Sequence, residues 1–162
     1  MTTAIYPGSF DPITNGHLDV LKTSSEIFEK VIIAVAYNPL KNFSGFLTVD
    51  ERLELIKKSI TDFNNVEVDC FEGLTVEYAK KKGAKVLIRG LRAVSDFEFE
   101  MQLSQTNSSL DKEIKTIFLT TRPKYNFISS SSVKEVASFG GDVSKFVPAP
   151  VNEFLINKFK EV

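Results

Sequence analysis

The chain has 162 residues, 43% hydrophobic and 25% charged, enough for one domain with a substantial core. Twenty basic against 21 acidic side chains leave a net charge of -1, without the excess of cations that a nucleic-acid partner calls for. No signal peptide opens the chain and no apolar run approaches the ~20 residues of a membrane span, so no membrane partner is expected either. A lone cysteine, Cys70, cannot form an internal disulfide, which fits a reducing, cytoplasmic setting. Its apolar neighbours make it a buried strand residue rather than a reactive thiol.

In chain order, a short apolar strand at Thr3–Tyr6 leads through Pro-Gly-Ser-Phe-Asp-Pro-Ile-Thr-Asn-Gly-His17 into a helix carrying Leu18, Leu21, Ile27 and Phe28. The β-branched run Val31–Tyr37 reads as a strand buried on both faces. Thr48-Val-Asp-Glu51 is a capping box, and the helix after it puts Leu53, Ile56 and Ile60 on one face. A third strand, Val66–Phe71, precedes a helix from Thr75 to Lys82 that Gly83 stops. A fourth strand, Val86–Arg89, precedes a helix opened by a second capping box, Ser95-Asp-Phe-Glu98, and continued through Met101 and Leu103. After a fifth strand, Thr116–Thr120, Ser132-Val-Lys-Glu135 opens a helix that Gly140-Gly141 breaks. A last helix, Val151–Lys160, follows Pro148 and Pro150. This alternation predicts an α/β fold: a doubly wound, Rossmann-like, open parallel five-stranded sheet with helices on both faces and a C-terminal helical segment, all of 1–162 forming one domain.

Unusual residues stand at four strand ends. Ser9, Thr14, Asn15 and His17 follow the first, and His17 is the only histidine. Lys41 follows the second, Arg89-Gly-Leu-Arg92 ends the fourth, and Tyr125-Asn-Phe-Ile-Ser-Ser-Ser-Ser132 follows the fifth. In a parallel sheet these carboxyl ends lie along one edge, so the groups converge. One imidazole, one ammonium, two guanidiniums, a row of hydroxyls and helix N-termini make a site for two or more phosphates. Each residue also has a plainer reading. His17 could be a cap, Lys41 a solvated charge, Arg89 and Arg92 partners of Glu98 or Glu100, and Ser129 to Ser132 a loop with an N-cap. Convergence favours the phosphate site. Neither G-x-G-x-x-G nor G-x-x-x-x-G-K-[ST] is present, nor any His/Cys cluster, so no dinucleotide, P-loop or protein-held metal site is expected.

Thr14-Asn-Gly-His17 resembles the T/H-x-G-H signature of the nucleotidyltransferase superfamily. Together, Tyr6–His17, Ile88–Leu103 and Phe127–Glu135 resemble the bacterial phosphopantetheine adenylyltransferase family, in order and over essentially the whole chain. That resemblance implies adenylyl transfer from ATP to 4′-phosphopantetheine, with Mg²⁺ as cofactor and a cytoplasmic homohexamer. It implies catalytic roles for His17, Lys41 and Arg89. It places ATP on Ser9, Phe10, His17, Gly90, Leu91, Arg92, Glu100, Tyr125, Asn126, Phe127, Ile128, Ser129, Ser130 and Ser131. The acceptor falls to Ser9, Lys41, Thr75 and Arg89. Ser9 stands where threonine is common, which keeps the hydroxyl.

Overall fold

The computed structural model describes residues 2–39 and 46–160, and of these the side chains of all but Val94 and Ser95. Five strands, β1 (Thr3–Gly8), β2 (Lys30–Tyr37), β3 (Val66–Glu72), β4 (Val86–Leu91) and β5 (Lys115–Thr120), form one parallel sheet in the order β3-β2-β1-β4-β5. Helices α1 (Asn15–Ile27), α2 (Val49–Ser59), α3 (Thr75–Lys81), α4 (Val94–Leu110), α5 (Ser130–Ser138) and α6 (Ala149–Lys160) connect and cover it.

The strand pattern explains why helices are needed on both faces. Successive side chains of a strand point to opposite sides. Ala4 and Tyr6 of β1, with Val31, Ile33 and Val35 of β2, join one core cluster with Val20, Leu21, Leu55, Ile56, Val133, Val151 and Leu155. Ile5, Ile32, Ala34 and Leu87 join a second cluster with Val76, Ala79 and Ala84. Helices α1, α2, α5 and α6 thus cover one face, and α3 the other.

β1 and β2 stay paired from Thr3↔Lys30 to Gly8↔Val35. β1 and β4 pair only at Ala4↔Val86 and Ile5↔Leu87. Beyond Ile5 the two strands part. They are also where the winding direction reverses, so a crevice opens at their carboxyl ends, between the two halves of the sheet.

Three local expectations are corrected. β4 continues through Gly90 to Leu91, because β5 pairs with it as far as Leu91↔Thr120. α4 starts at Val94 after an N-cap at Ala93, so Ser95 lies inside the first turn and does not open the helix. α5 is capped by Ser129 with Ser132 as its box partner, not opened at Ser132 with Glu135. The Thr48–Glu51 box forms as read. Ile27 is exposed and Cys70 only half-buried, on edge strand β3, where burial pushes the thiol pKa up.

Candidate active site

A cavity of about 410 Å³ occupies the crevice. Of the residues named from sequence, Ser9, Phe10, His17, Arg89, Gly90, Arg92, Glu100, Ile128 and Ser129 to Ser131 line it. They come from the β1–α1 turn, α1, β4, α4 and the start of α5.

The turn after β1 is tightly specified. Phe10 has φ 45°, in the left-handed region that favours glycine, a local strain of the kind found at functional sites. Packing holds it there. The buried ring of Phe10 lies edge-on to Tyr6, with centroids 5.3 Å apart, and to His17 at 5.0 Å.

His17 is the third residue of α1 and closes a capping box with Thr14. The Thr14 backbone N–H donates to His17 Nδ1 at 3.0 Å, and the His17 N–H donates to Thr14 Oγ1. A backbone nitrogen can only donate, so Nδ1 is the acceptor and the ring proton sits on Nε2. Burial first, then the Arg92 and Arg89 charges, push the imidazole pKa down to about 4. The ring is therefore a neutral, oriented N–H donor at physiological pH.

Both arginines of the cavity carry partners. Arg89 donates from Nε and Nη2 to the two Glu100 oxygens, each at 2.7 Å, and from Nη1 to the Pro7 carbonyl at 3.0 Å. That last bond bridges the strands where their pairing has stopped. Arg92 sits 3.3 Å from Asp96 and donates to the Ile128 carbonyl at 2.6 Å. The plainer reading of these arginines as ion-paired is thus also correct, with Asp96 rather than Glu98 beside Arg92. Glu100, one of the few buried charged residues, serves Arg89 with both oxygens. Its partners are what a guanidinium fork and a carboxylate match best.

With part of each guanidinium's donor set engaged by carboxylates and carbonyls, the donors at the cavity's other wall add to the site. Ser130 and Ser131 form the first turn of α5, whose backbone N–H groups have no partner within the helix. Gly16 brings the N-terminus of α1 to the same cavity.

Other named residues lie off the cavity wall. The Leu91 carbonyl accepts from the Thr121 N–H. Tyr125 lies under the Arg122 guanidinium, 5.4 Å from its ring centre. Asn126 accepts from Thr121 Oγ1, and Phe127 is exposed and edge-on to Phe146. Thr75 begins α3, after β3. Lys41 falls outside the described residues.

The cavity also takes in Thr14, named from sequence at the end of the first strand, and Tyr6, Val20, Asp96, Phe99 and Thr121, which the site reading did not name. Asp96, Phe99 and Glu100 share one face of α4 by their i, i+3, i+4 spacing, a signal the sequence did carry. Among the described residues, no three His, Cys, Asp or Glu stand close enough together to hold a metal ion. Nor, among those residues, is any helix long and apolar enough to cross a membrane.

Comparison with known proteins agrees with this architecture. The cytidylyltransferase-like family matches residues 5–136. A phosphopantetheine adenylyltransferase of Alkaliphilus metalliredigens is 54% identical over 98% of this chain and 99% of its own. Its counterpart in Caldanaerobacter subterraneus is 53% identical over 99% of both chains. The crystal structure of a putative nicotinate-nucleotide adenylyltransferase from Vibrio parahaemolyticus superposes with a TM-score of 0.76 at 19% identity. It covers 100% of this chain and 98% of its own, and it supports the fold alone.

Proposed function

Because the chain belongs to the phosphopantetheine adenylyltransferase family of cytidylyltransferase-like proteins, we propose that it transfers the adenylyl group of ATP to 4′-phosphopantetheine, releasing dephospho-coenzyme A and pyrophosphate. The observation that carries this reading is the crevice between β1 and β4, where a neutral histidine, two arginines and two helix N-termini surround one cavity.

The acceptor phosphate is a dianion near neutral pH and needs no general base. One of its oxygens bonds to the α-phosphorus as the bond from that phosphorus to the bridging β-oxygen breaks, and pyrophosphate leaves with the electron pair. Alignment and charge stabilisation supply the catalysis. His17 donates Nε2–H to the α-phosphate, a donor whose protonation state does not change near neutral pH. Ser129 to Ser131 and Arg92 hold the β- and γ-phosphates. Arg89 has five N–H donors, of which the bonds to Glu100 and Pro7 engage three, leaving two for the acceptor phosphate beside Lys41. Glu100 is then a positioning residue for Arg89.

Thr75 meets the far arm of the acceptor. It starts α3 after β3, two strand spacings or about 10 Å along the sheet edge from β1, within reach of an extended pantetheine. Glu100 and Asp96, the carboxylates of the cavity, are paired with Arg89 and Arg92, so a magnesium ion would be held mainly by the nucleotide's own phosphates, where it would offset their charge. The assembly is a cytoplasmic homohexamer. Phe97 and Leu110 of α4 and Ile117 of β5, exposed on the single chain, support burial against other copies.

The test is pyrophosphate release from MgATP with and without 4′-phosphopantetheine. Release that requires the acceptor, matched by dephospho-coenzyme A, is the expected result. Release with nicotinate mononucleotide instead, or ATP binding without turnover, would overturn the assignment.

A further inference from the structure

Four side chains that line the cavity and carry a polar group are buried: Tyr6, Thr14, Glu100 and Thr121. Three of them are engaged within the protein. Thr14 Oγ1 accepts from the His17 N–H, Glu100 takes Arg89 with both oxygens, and Thr121 Oγ1 donates to Asn126. The Tyr6 hydroxyl has no hydrogen-bond partner among the described residues. Nor is it sealed off, since no polar side-chain atom of the described residues is both cut off from solvent and without a partner. Tyr6 is only 5% exposed, so an oxygen that is neither bonded nor sealed faces the cavity that the residue lines.

The ring of Tyr6 has a packing role, edge-on to Phe10 in the core face covered by α1 and α5. A phenylalanine would pack equally well there, so packing does not account for the oxygen. That oxygen lies toward β4: a Cβ at Gly90 would stand 3.7 Å from Tyr6 Oη. This is the side of Gly90, Arg92 and the serines at the start of α5. Burial raises the phenol pKa well above the ordinary tyrosine value, and the opposing Arg89 and Arg92 charges do not offset it. The group is a neutral O–H donor, and a buried donor without a partner costs free energy that a bound acceptor recovers.

We propose that Tyr6 is a nucleotide-binding residue, its hydroxyl donating to an uncharged oxygen or nitrogen of the nucleoside half of ATP. The phosphate chain already has charged and backbone donors in Arg92 and the first turn of α5. A neutral hydroxyl between the Phe10 ring and Gly90 suits an uncharged acceptor better. This rests on the reading of the cavity as the ATP site.

The experiment compares Tyr6→Phe with the parent protein by ATP and tripolyphosphate binding, acceptor KM and thermal unfolding without ligand. The variant binds ATP about tenfold more weakly, with the tripolyphosphate dissociation constant and the acceptor KM within about twofold of the parent. Its Tm without ligand is unchanged or higher, because no bond within the protein is lost. A structural hydroxyl would instead lower that Tm, which overturns the proposal. So does an ATP affinity equal to the parent's, or a loss of tripolyphosphate or acceptor binding as large as the loss for ATP. If the tenfold difference disappears with 2′-deoxy-ATP or 3′-deoxy-ATP, the partner is that ribose hydroxyl. If it persists with both, the partner lies elsewhere on the nucleoside, and either result supports the proposal. A parent protein that does not bind ATP removes the site reading and this inference with it, whereas equal ATP binding by parent and variant removes the inference alone.

Discussion

At the scale of single residues, His17 has an observed duty and a proposed one. Nδ1 caps α1, which leaves the ring proton on Nε2, the tautomer that the proposed transfer needs. His17→Ala keeps the fold and loses about 10²–10³ in kcat, the usual effect of removing one oxyanion donor, as read by pyrophosphate release. A folded variant with native turnover would remove His17 from the mechanism. The ring also sets a pH dependence. Its folded pKa, about 4, lies below the ordinary 6.5, so the unfolded chain takes up the proton first. Its contribution to stability is whole above about pH 6.5 and is lost as pH falls toward 4, the reverse of a histidine that gains an anionic partner. Thermal unfolding from pH 7 to 4 should show this decline, and His17→Gln should flatten it above pH 5. Asp11 adds a second loss at lower pH. Burial opposes its charge, but bonds from Phe46, Leu47 and Lys134 outweigh it and hold the carboxyl below its ordinary value, so its contribution fades only below about pH 4.

Among elements, the decisive contact is α1 against β4. A Cβ at Gly90 would stand 2.9 Å from Val20 Cγ2, so only glycine lets the helix carrying His17 lie this close to the strand carrying Arg89. Gly90→Ala should cost about 1–3 kcal/mol in urea unfolding, and Gly90→Ala with Val20→Ala should cost less than the sum of the two single variants. Additive costs would mean that the contact does not limit the packing. The glycine was legible in the sequence as part of an Arg-Gly-Leu-Arg block, but this reason for it was not, because Val20 is 70 residues away in the chain. The same holds elsewhere. Strand and helix order followed from local periodicity, and the convergence of His17, Arg89, Arg92 and the serines followed from topology. Local capping patterns were less secure. Ser95-Asp-Phe-Glu98 has the spacing of a box, yet the helix begins one residue before it because Ala93 already has the extended backbone of an N-cap. The partner choice of Arg89 was out of reach for a further reason. Glu98 and Glu100 are both nearby in sequence, and only the direction of α4 turns Glu100 inward.

For the whole molecule, the proposed assembly gives exposed apolar side chains a surface to pack against. Phe97 and Leu110 on α4 are 43% and 53% exposed in the single chain. Sedimentation should find a hexamer, and Phe97→Glu with Leu110→Glu should yield smaller species with unchanged far-UV circular dichroism. A monomeric parent protein would refute the assembly. The strand order carries a consequence in time. β1, β2 and β3 are neighbours in sequence and in space, so one half of the sheet can associate as soon as the first 72 residues exist. The other half starts at Val86, and its contact with β1 closes a loop of about 80 residues, a slow step for a folding chain. Neither half is covered early, however: the face of β1 and β2 waits for Val133, Val151 and Leu155, supplied by α5 and α6 near the end of the chain. The residues that seal the core and those that wall the crevice thus arrive together, so a C-terminal truncation before α5 should cost stability and ATP binding at once.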